Sequence, residues 1–156
     1  MTQRMNYTQA SPDGFKAIYG LQQYVDACGL EHPLLELVKM RASQINGCAY
    51  CLDMHSKDAR AAGETEQRLY LLNAWRESPF YSERERAALA WTEALTRIAD
   101  GPVSDELYAE ARTQFSEKEL ADLSFAVIAI NGWNRLAIPF RSEPGHYQPG
   151  QHKKTA

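Results

Sequence analysis

Apolar residues recur along this chain at intervals of three and four, and no stretch alternates for long enough to mark a strand. A first helix is expected from Pro12 or Asp13 to Cys28, with Ser11 as its N-cap and Gly29 beyond its end. Phe15, Ile18, Tyr19 and Val25 form its apolar stripe, interrupted by Gln22. A second opens at Pro33, a residue suited to a first helical turn, and carries Leu34, Leu37, Val38 and Ile45 on a face shared with Arg41. Asn46-Gly47 ends it as a turn. A third runs from about Cys48 to Ala62, where Gly63 supplies a left-handed stop. Thr65 caps a fourth that continues through Trp75. Ser82 with Glu85 forms a capping box for a fifth, reaching Ala99 before Asp100-Gly101-Pro102 stops it. Ser104 caps a shorter sixth, and a second capping box, Ser116 with Glu119, opens a long apolar seventh that ends before Pro139. On that helix Phe125, Ile128, Trp133 and Leu136 are expected in the core, while Asn131, Asn134 and Arg135 are polar groups suited to reach a site or an interface. Residues 139–156 are rich in Pro, Gly and polar side chains and read as an extended surface tail. Short loops between seven helices predict one all-α domain over residues 1–156, a helical bundle with its core at about 13–138.

Composition narrows the function classes. A chain of 156 residues fits one domain and buries roughly two-thirds of its unfolded surface, so it needs no disulfide staples. Hydrophobic residues at 44% and charged residues at 24% match an ordinary soluble protein. The net charge is -3, and no Lys/Arg cluster is interleaved with aromatics, which argues against nucleic acid as a partner. His152 to Lys154 is too short for a basic arm. Met1 to Ala10 lacks the apolar core of a signal peptide. The longest apolar run, Phe125 to Ile130, is far below the ~20 residues of a membrane helix. A cytoplasmic protein with no membrane partner is expected. In that reducing compartment a close pair among three cysteines is catalytic or metal-binding rather than structural.

The chemistry concentrates in the third helix. Cys48 and Cys51 stand three apart, His55 lies four beyond Cys51, and these spacings put all three on one face. A helix N-terminus and a nearby imidazole both favour the thiolate, which is the nucleophile. Two thiols at this spacing can close a disulfide, giving a two-electron switch, with His55 placed to carry the proton. The rival is a zinc or iron–sulfur knuckle. Zinc wants four tetrahedral ligands, and with no second Cys-X-X-Cys, His32 or His146 would have to complete the set. The remaining alternatives are bland: core cysteines, His55 as a surface histidine, Glu36 as an exposed charge. Cys28 has no partner in sequence and reads as an inert buried thiol.

The segment Glu36 to His55, with Glu, eleven residues, Cys48, two residues, Cys51, three residues and His55, resembles the signature of the alkylhydroperoxidase D-like (AhpD-like) branch of the carboxymuconolactone decarboxylase family. The Asn46-Gly47 turn, the Lys57-Asp58-Ala59-Arg60 run and Trp133-Asn134-Arg135 are similar too, and the likeness extends from about Asp13 to Arg141. The resemblance implies an all-helical homo-oligomer, trimer or hexamer, that reduces alkyl hydroperoxides. It implies Cys51 as the peroxidatic thiol passing through a sulfenic acid, and Cys48 as the resolving thiol and proton donor. Glu36 and His55 would form the proton relay, and a Cys48–Cys51 disulfide would be reopened by a dithiol reductant or through a peroxiredoxin. Helix-dipole physics alone favours Cys48 as the more acidic sulfur. No organic cofactor and no metal is called for. One departure stands out: the peroxidase members carry histidine directly before the second cysteine, where this chain has Tyr50, a candidate substrate-binding residue and, with a pKa near 10, a poor proton shuttle. Other expectations kept open are a carboxymuconolactone decarboxylase-like enzyme and a metal-stabilised binding protein without turnover. Three Trp and eight Tyr, residues enriched at interfaces, fit an oligomer.

Overall fold

The computed structural model describes residues 2–150, and every regular element among them is helical. The part of the expected tail at 151–156, including His152 to Lys154, lies outside the described residues. The helices are α1 (Tyr7–Ala10), α2 (Pro12–Ala27), α3 (His32–Asn46), α4 (Ala49–Ala61), α5 (Glu66–Leu71), α6 (Glu83–Thr96), α7 (Asp105–Gln114) and α8 (Glu117–Phe140). Single 3₁₀ turns follow α5 (Leu72–Ala74) and α6 (Ile98–Asp100). Both capping boxes form, Ser82 with Glu85 and Ser116 with Glu119, each satisfying two orphan amides at a helix start.

The bundle is organised around α3, which packs against α4, α6 and α8. The sequence marks one face of α3 as apolar, but all ten residues from Leu34 to Ser43 are buried. Three of them, Glu36, Lys39 and Arg41, carry charge, and a buried charge needs a partner at once. Arg41 Nε donates to Glu93 Oε1 at 2.7 Å, and the same oxygen accepts the Trp75 indole at 2.9 Å. Glu36 and Lys39 bind each other, which prepares the site described below.

Several expectations are corrected. The bland alternatives for Glu36 and His55 fall away, since both are buried: α3 is enclosed all round and α4 turns His55 inward onto it. The fourth helix stops at Leu71 and tightens into a 3₁₀ turn instead of reaching Trp75, whose indole is pinned to Glu93. The fifth stops at Thr96, with its 3₁₀ turn completing the span toward Asp100. The last helix continues through Pro139 to Phe140 and ends with Arg141 in the left-handed region (φ 56°). A proline this close to a C-terminus removes a single hydrogen bond, to the carbonyl of exposed Arg135. The carbonyls released at the helix end are taken by the N-terminal segment: Arg4 donates its backbone amide to Phe140 at 3.0 Å and its guanidinium to Pro139 at 3.1 Å. That crossing also explains α1, an element that the apolar spacing does not predict. Asn6 caps it, and the Tyr7 ring lies 5.9 Å from that of Phe140.

Phe125 and Ile128 are exposed, not core. Helix α8 is apolar on almost every side, yet the side that faces the bundle runs through Leu120, Leu123, Ala126, Val127, Ile130, Asn134 and Ala137. Trp133 and Leu136 are half-buried. Cys28 caps the end of α2 and is half-buried instead of enclosed. From Ser142 to Gly150 the chain has no regular structure, as expected, but it is not loosely laid on the surface, since Tyr147 is buried.

Candidate functional site

Glycine at position 47 is what brings the two cysteines to the start of a helix. Its φ of 72° reverses the chain at the end of α3, where side-chain-bearing residues are strained. Cys48 then adopts an extended conformation as the N-cap of α4, with its amide donating to the Ser43 carbonyl at 3.0 Å. Its sulfur accepts the Cys51 amide at 3.4 Å, the role usually given to Ser or Asp oxygen. The two sulfurs lie 2.8 Å apart, within hydrogen-bond distance, and each residue is 1% exposed.

The environments of the two sulfurs differ. The hydrogen bond from Cys51, the amides of Cys51 and Tyr50, and the Asn134 side chain outweigh burial and hold the Cys48 thiol at about 7. Cys51, facing that sulfur in a buried setting, is pushed well above the ordinary thiol range. Ionisation of the pair is therefore favoured at Cys48 and disfavoured at Cys51. Titration of thiolate absorbance against pH is expected to show one sulfur ionising near pH 7 and the other still protonated at pH 9. Two thiols titrating together near 8.5 would contradict the arrangement.

Two residues around the sulfurs were not singled out as catalytic from the sequence. Asn134 is fully buried, donates to Ser43 Oγ at 3.1 Å and accepts from Asn46 at 2.8 Å. Ser43, unmarked in sequence because it looks like any helix serine, stabilises the Cys51 thiolate by hydrogen bonding. Asn131 extends the network, accepting from Asn46 at 3.0 Å and from Arg135 at 2.9 Å. Tyr50 and Trp133 pack against the cluster of Cys48, Cys51, Ala42, Ile130 and Ala137. Tyr7, from α1, also lies close, since its hydroxyl is pushed up by burial and then by the charges of Tyr50 and Cys51.

The second half of the site is the Glu36–His55 pair. His55 Nδ1 lies 3.0 Å from Glu36 Oε2, and Lys39 Nζ donates to Oε1 at 3.0 Å. His32 Nε2 is 3.6 Å from the same Oε1. Burial would raise the Glu36 carboxyl, but His55 and Lys39 more than reverse this and hold it at about 2. Lys39 was missed from the sequence, although its i+3 offset from Glu36 was the available signal. A cavity of about 230 Å³, lined by Pro33, Ala59, Gly63, Glu64 and Arg68 among others, opens onto Glu36. Cys51 and His55 are one turn apart on the inward side of α4, and no hydrogen bond among the described residues joins His55 to either sulfur.

The ligand atoms of Glu36, His55 and Asp58 lie within 4.8 Å of one another, and among the described residues no such group of three includes a cysteine. Neither His32, at Glu36, nor His146 completes a sulfur set of the kind a zinc knuckle needs. Around Glu36 the positive charge is already supplied by Lys39. Among the described residues no helix is long and apolar enough to cross a membrane.

Comparison with known proteins identifies the family and the fold. The profile of the carboxymuconolactone decarboxylase family matches residues 12–94. YdfG of Bacillus subtilis (strain 168), an uncharacterized protein, is 44% identical over 138 residues, spanning 88% of this chain and 94% of YdfG. YnjA of Escherichia coli (strain K12), also uncharacterized, is 28% identical over 113 residues, 72% of this chain and 59% of YnjA. The crystal structure of ATU0492 from Agrobacterium tumefaciens, a protein of unknown function and candidate antioxidant defence protein AhpD, superposes with a TM-score of 0.90 at 46% identity, covering 94% of this chain and all of that one. The debrominase Bmp8 follows at a TM-score of 0.79 and 25% identity, over 89% of this chain and 75% of its own. The chain belongs to the carboxymuconolactone decarboxylase family, in its AhpD-like branch.

Proposed function

We propose that the protein is a thiol peroxidase that reduces alkyl hydroperoxides. The observation that carries this reading is the pair of buried sulfurs 2.8 Å apart at the start of a helix, in surroundings that lower the pKa of Cys48 and raise that of Cys51. Cys51 passes its proton to Cys48 and attacks the terminal peroxide oxygen. The O–O bond breaks, Cys51 becomes a sulfenic acid, and the alkoxide takes the proton from Cys48 to leave as alcohol. Cys48 then attacks the Cys51 sulfur, displacing water with a further proton and closing the disulfide. A dithiol donor returns two electrons and two protons. The division of labour follows from acidity. A sulfur with a higher pKa is the stronger nucleophile once ionised, and one with a lower pKa is the better acid and leaving group. His55 and Glu36 serve as the proton relay, with the cavity at Glu36 its exchange point with solvent.

A decarboxylase-like reaction has no use for a reversible dithiol. A second reading, reductive dehalogenation, is favoured by the likeness to the debrominase Bmp8. There the same dithiol would give two electrons to a carbon–bromine bond, releasing bromide and leaving hydrogen in its place as the disulfide closes. The deciding assay measures cumene hydroperoxide consumption and bromide release from a bromopyrrole, each with dithiothreitol as donor. Peroxide loss matched mole for mole by dithiothreitol oxidation is expected; bromide release without peroxide loss would replace the first reading by the second. A homo-oligomer, trimer or hexamer, is proposed from exposed apolar Phe125, Ile128 and Tyr24, and a monomer by light scattering would overturn it.

A further inference from the structure

We propose that Asp58 and Tyr147 are positioning residues of this same site: the C-terminal tail, through the Tyr147 hydroxyl, holds Asp58 against His55, so that the imidazole works between two carboxylates instead of one. This rests on the thiol-redox reading only in assigning His55 a task; the geometry stands without it.

Asp58 follows His55 by three residues on α4 and therefore shares its side of the helix. Its carboxylate lies with His55 and Glu36 in one group of ligand atoms within 4.8 Å. The charged and titratable groups facing this point are few. From α3 come Glu36, with Lys39 at 3.0 Å and His32 at 3.6 Å behind it; from α4, Asp58, with Cys51 one turn before His55; from the tail, Tyr147; and Glu64 and Arg68 share the cavity that opens onto Glu36. Lys57 is turned away, engaged by Asp53 at 2.9 Å. The Asp58 side chain receives its hydrogen bond from the Tyr147 hydroxyl, at 2.7 Å. Burial, that bond and the charges of Asp58 and then Glu36 push the phenol well above its ordinary range, so it is a neutral donor at every working pH. A neutral donor fixes a carboxylate without cancelling its charge. Held so, Asp58 sets a second fixed negative charge beside the His55 ring, within 4.8 Å.

The tail is docked by bonds that do not involve the phenol. Lys57 Nζ donates to the carbonyls of Tyr147 at 3.1 Å and Gly145 at 3.3 Å, and the Gly145 amide donates to Asp53 Oδ2 at 2.9 Å. Tyr147→Phe therefore removes one hydroxyl and leaves the docked tail and its buried ring.

The test follows the His55 imidazole by NMR titration, with the pH profile of cumene hydroperoxide turnover, in the full chain and in Tyr147→Phe, Asp58→Asn and Asp58→Glu. In Tyr147→Phe and Asp58→Asn the His55 midpoint is expected to fall by about half a unit to one unit. Asp58→Glu, which keeps the charge, recovers part of that shift. A His55 titration in Tyr147→Phe superimposable on the parent overturns the proposal, whatever Asp58→Asn does to the fold. If no variant and no parent consumes peroxide, the peroxidase reading falls, and the imidazole titration still decides the role of the tail.

Discussion

Cys51→Ser is expected to lose at least ~1000-fold in peroxide consumption, because it removes the attacking sulfur while leaving its surroundings intact. The substitution is nearly isosteric, and the serine hydroxyl still has Cys48, Asn134 and Ser43 around it, so the fold should be unaffected. Cys48→Ser is expected to behave differently. Cys51 remains able to attack, but without the neighbouring thiolate as base the step slows, and without a second sulfur the sulfenic acid persists. In the absence of donor thiol this variant should consume one peroxide per chain, and dimedone should label Cys51. The measurement is stopped-flow peroxide loss with mass analysis of the labelled peptide. Turnover that survives Cys51→Ser, or dimedone label on Cys48 in that variant, would overturn the assignment of the attacking sulfur.

Glu36→Gln is expected to cost about 3–5 kcal/mol of stability at neutral pH, because it leaves the Lys39 ammonium buried against a neutral amide. Asp26, 3.7 Å from Lys39 but half exposed, offsets only part of this. For a chain of this size the melting temperature should fall by roughly 10 °C. The pH dependence separates this cause from simple misfit. A carboxyl held at about 2 in the folded state and near 4.3 in the unfolded chain stabilises fully above about pH 5. That contribution, about 3 kcal/mol, fades as pH falls through 4 toward 2. Urea unfolding of both proteins from pH 7 to pH 3 should therefore show the gap between them closing with acid. A gap that stays constant would mean that the glutamine disturbs packing and that ionisation of Glu36 contributes nothing.

The sequence carries the helices well wherever their ends are written in local chemistry. Ser82 with Glu85, Ser116 with Glu119, Thr65, and the Asn46-Gly47 turn all act as read, because caps and left-handed turns depend on a few adjacent residues. The Cys48–Cys51–His55 row was legible for the same reason. What escaped depends on residues distant in sequence. The enclosure of α3 on every side comes from three helices packing around it, so the burial of Glu36 could not be read from a face of apolar spacing. Pro139 was taken as a stop because its local effect is to break a helix; the N-terminal segment that accepts the helix end lies 135 residues away. Phe125 and Ile128 were assigned to the core because hydrophobicity was read without knowing which side of α8 meets the bundle. Tyr147 gave no signal at all, sitting in a segment whose composition suggested only exposed chain.

The sulfur that caps α4 is also the one that joins the proposed disulfide. While Cys48 is a thiolate, a full negative charge sits against the free amides of the first turn, where a helix favours it. Closing the S–S bond discharges that atom and leaves the turn with a much weaker acceptor. The oxidised protein would thus have a looser entry to the helix that carries Cys51 and His55, so a reductant would meet a more yielding surface than the peroxide did.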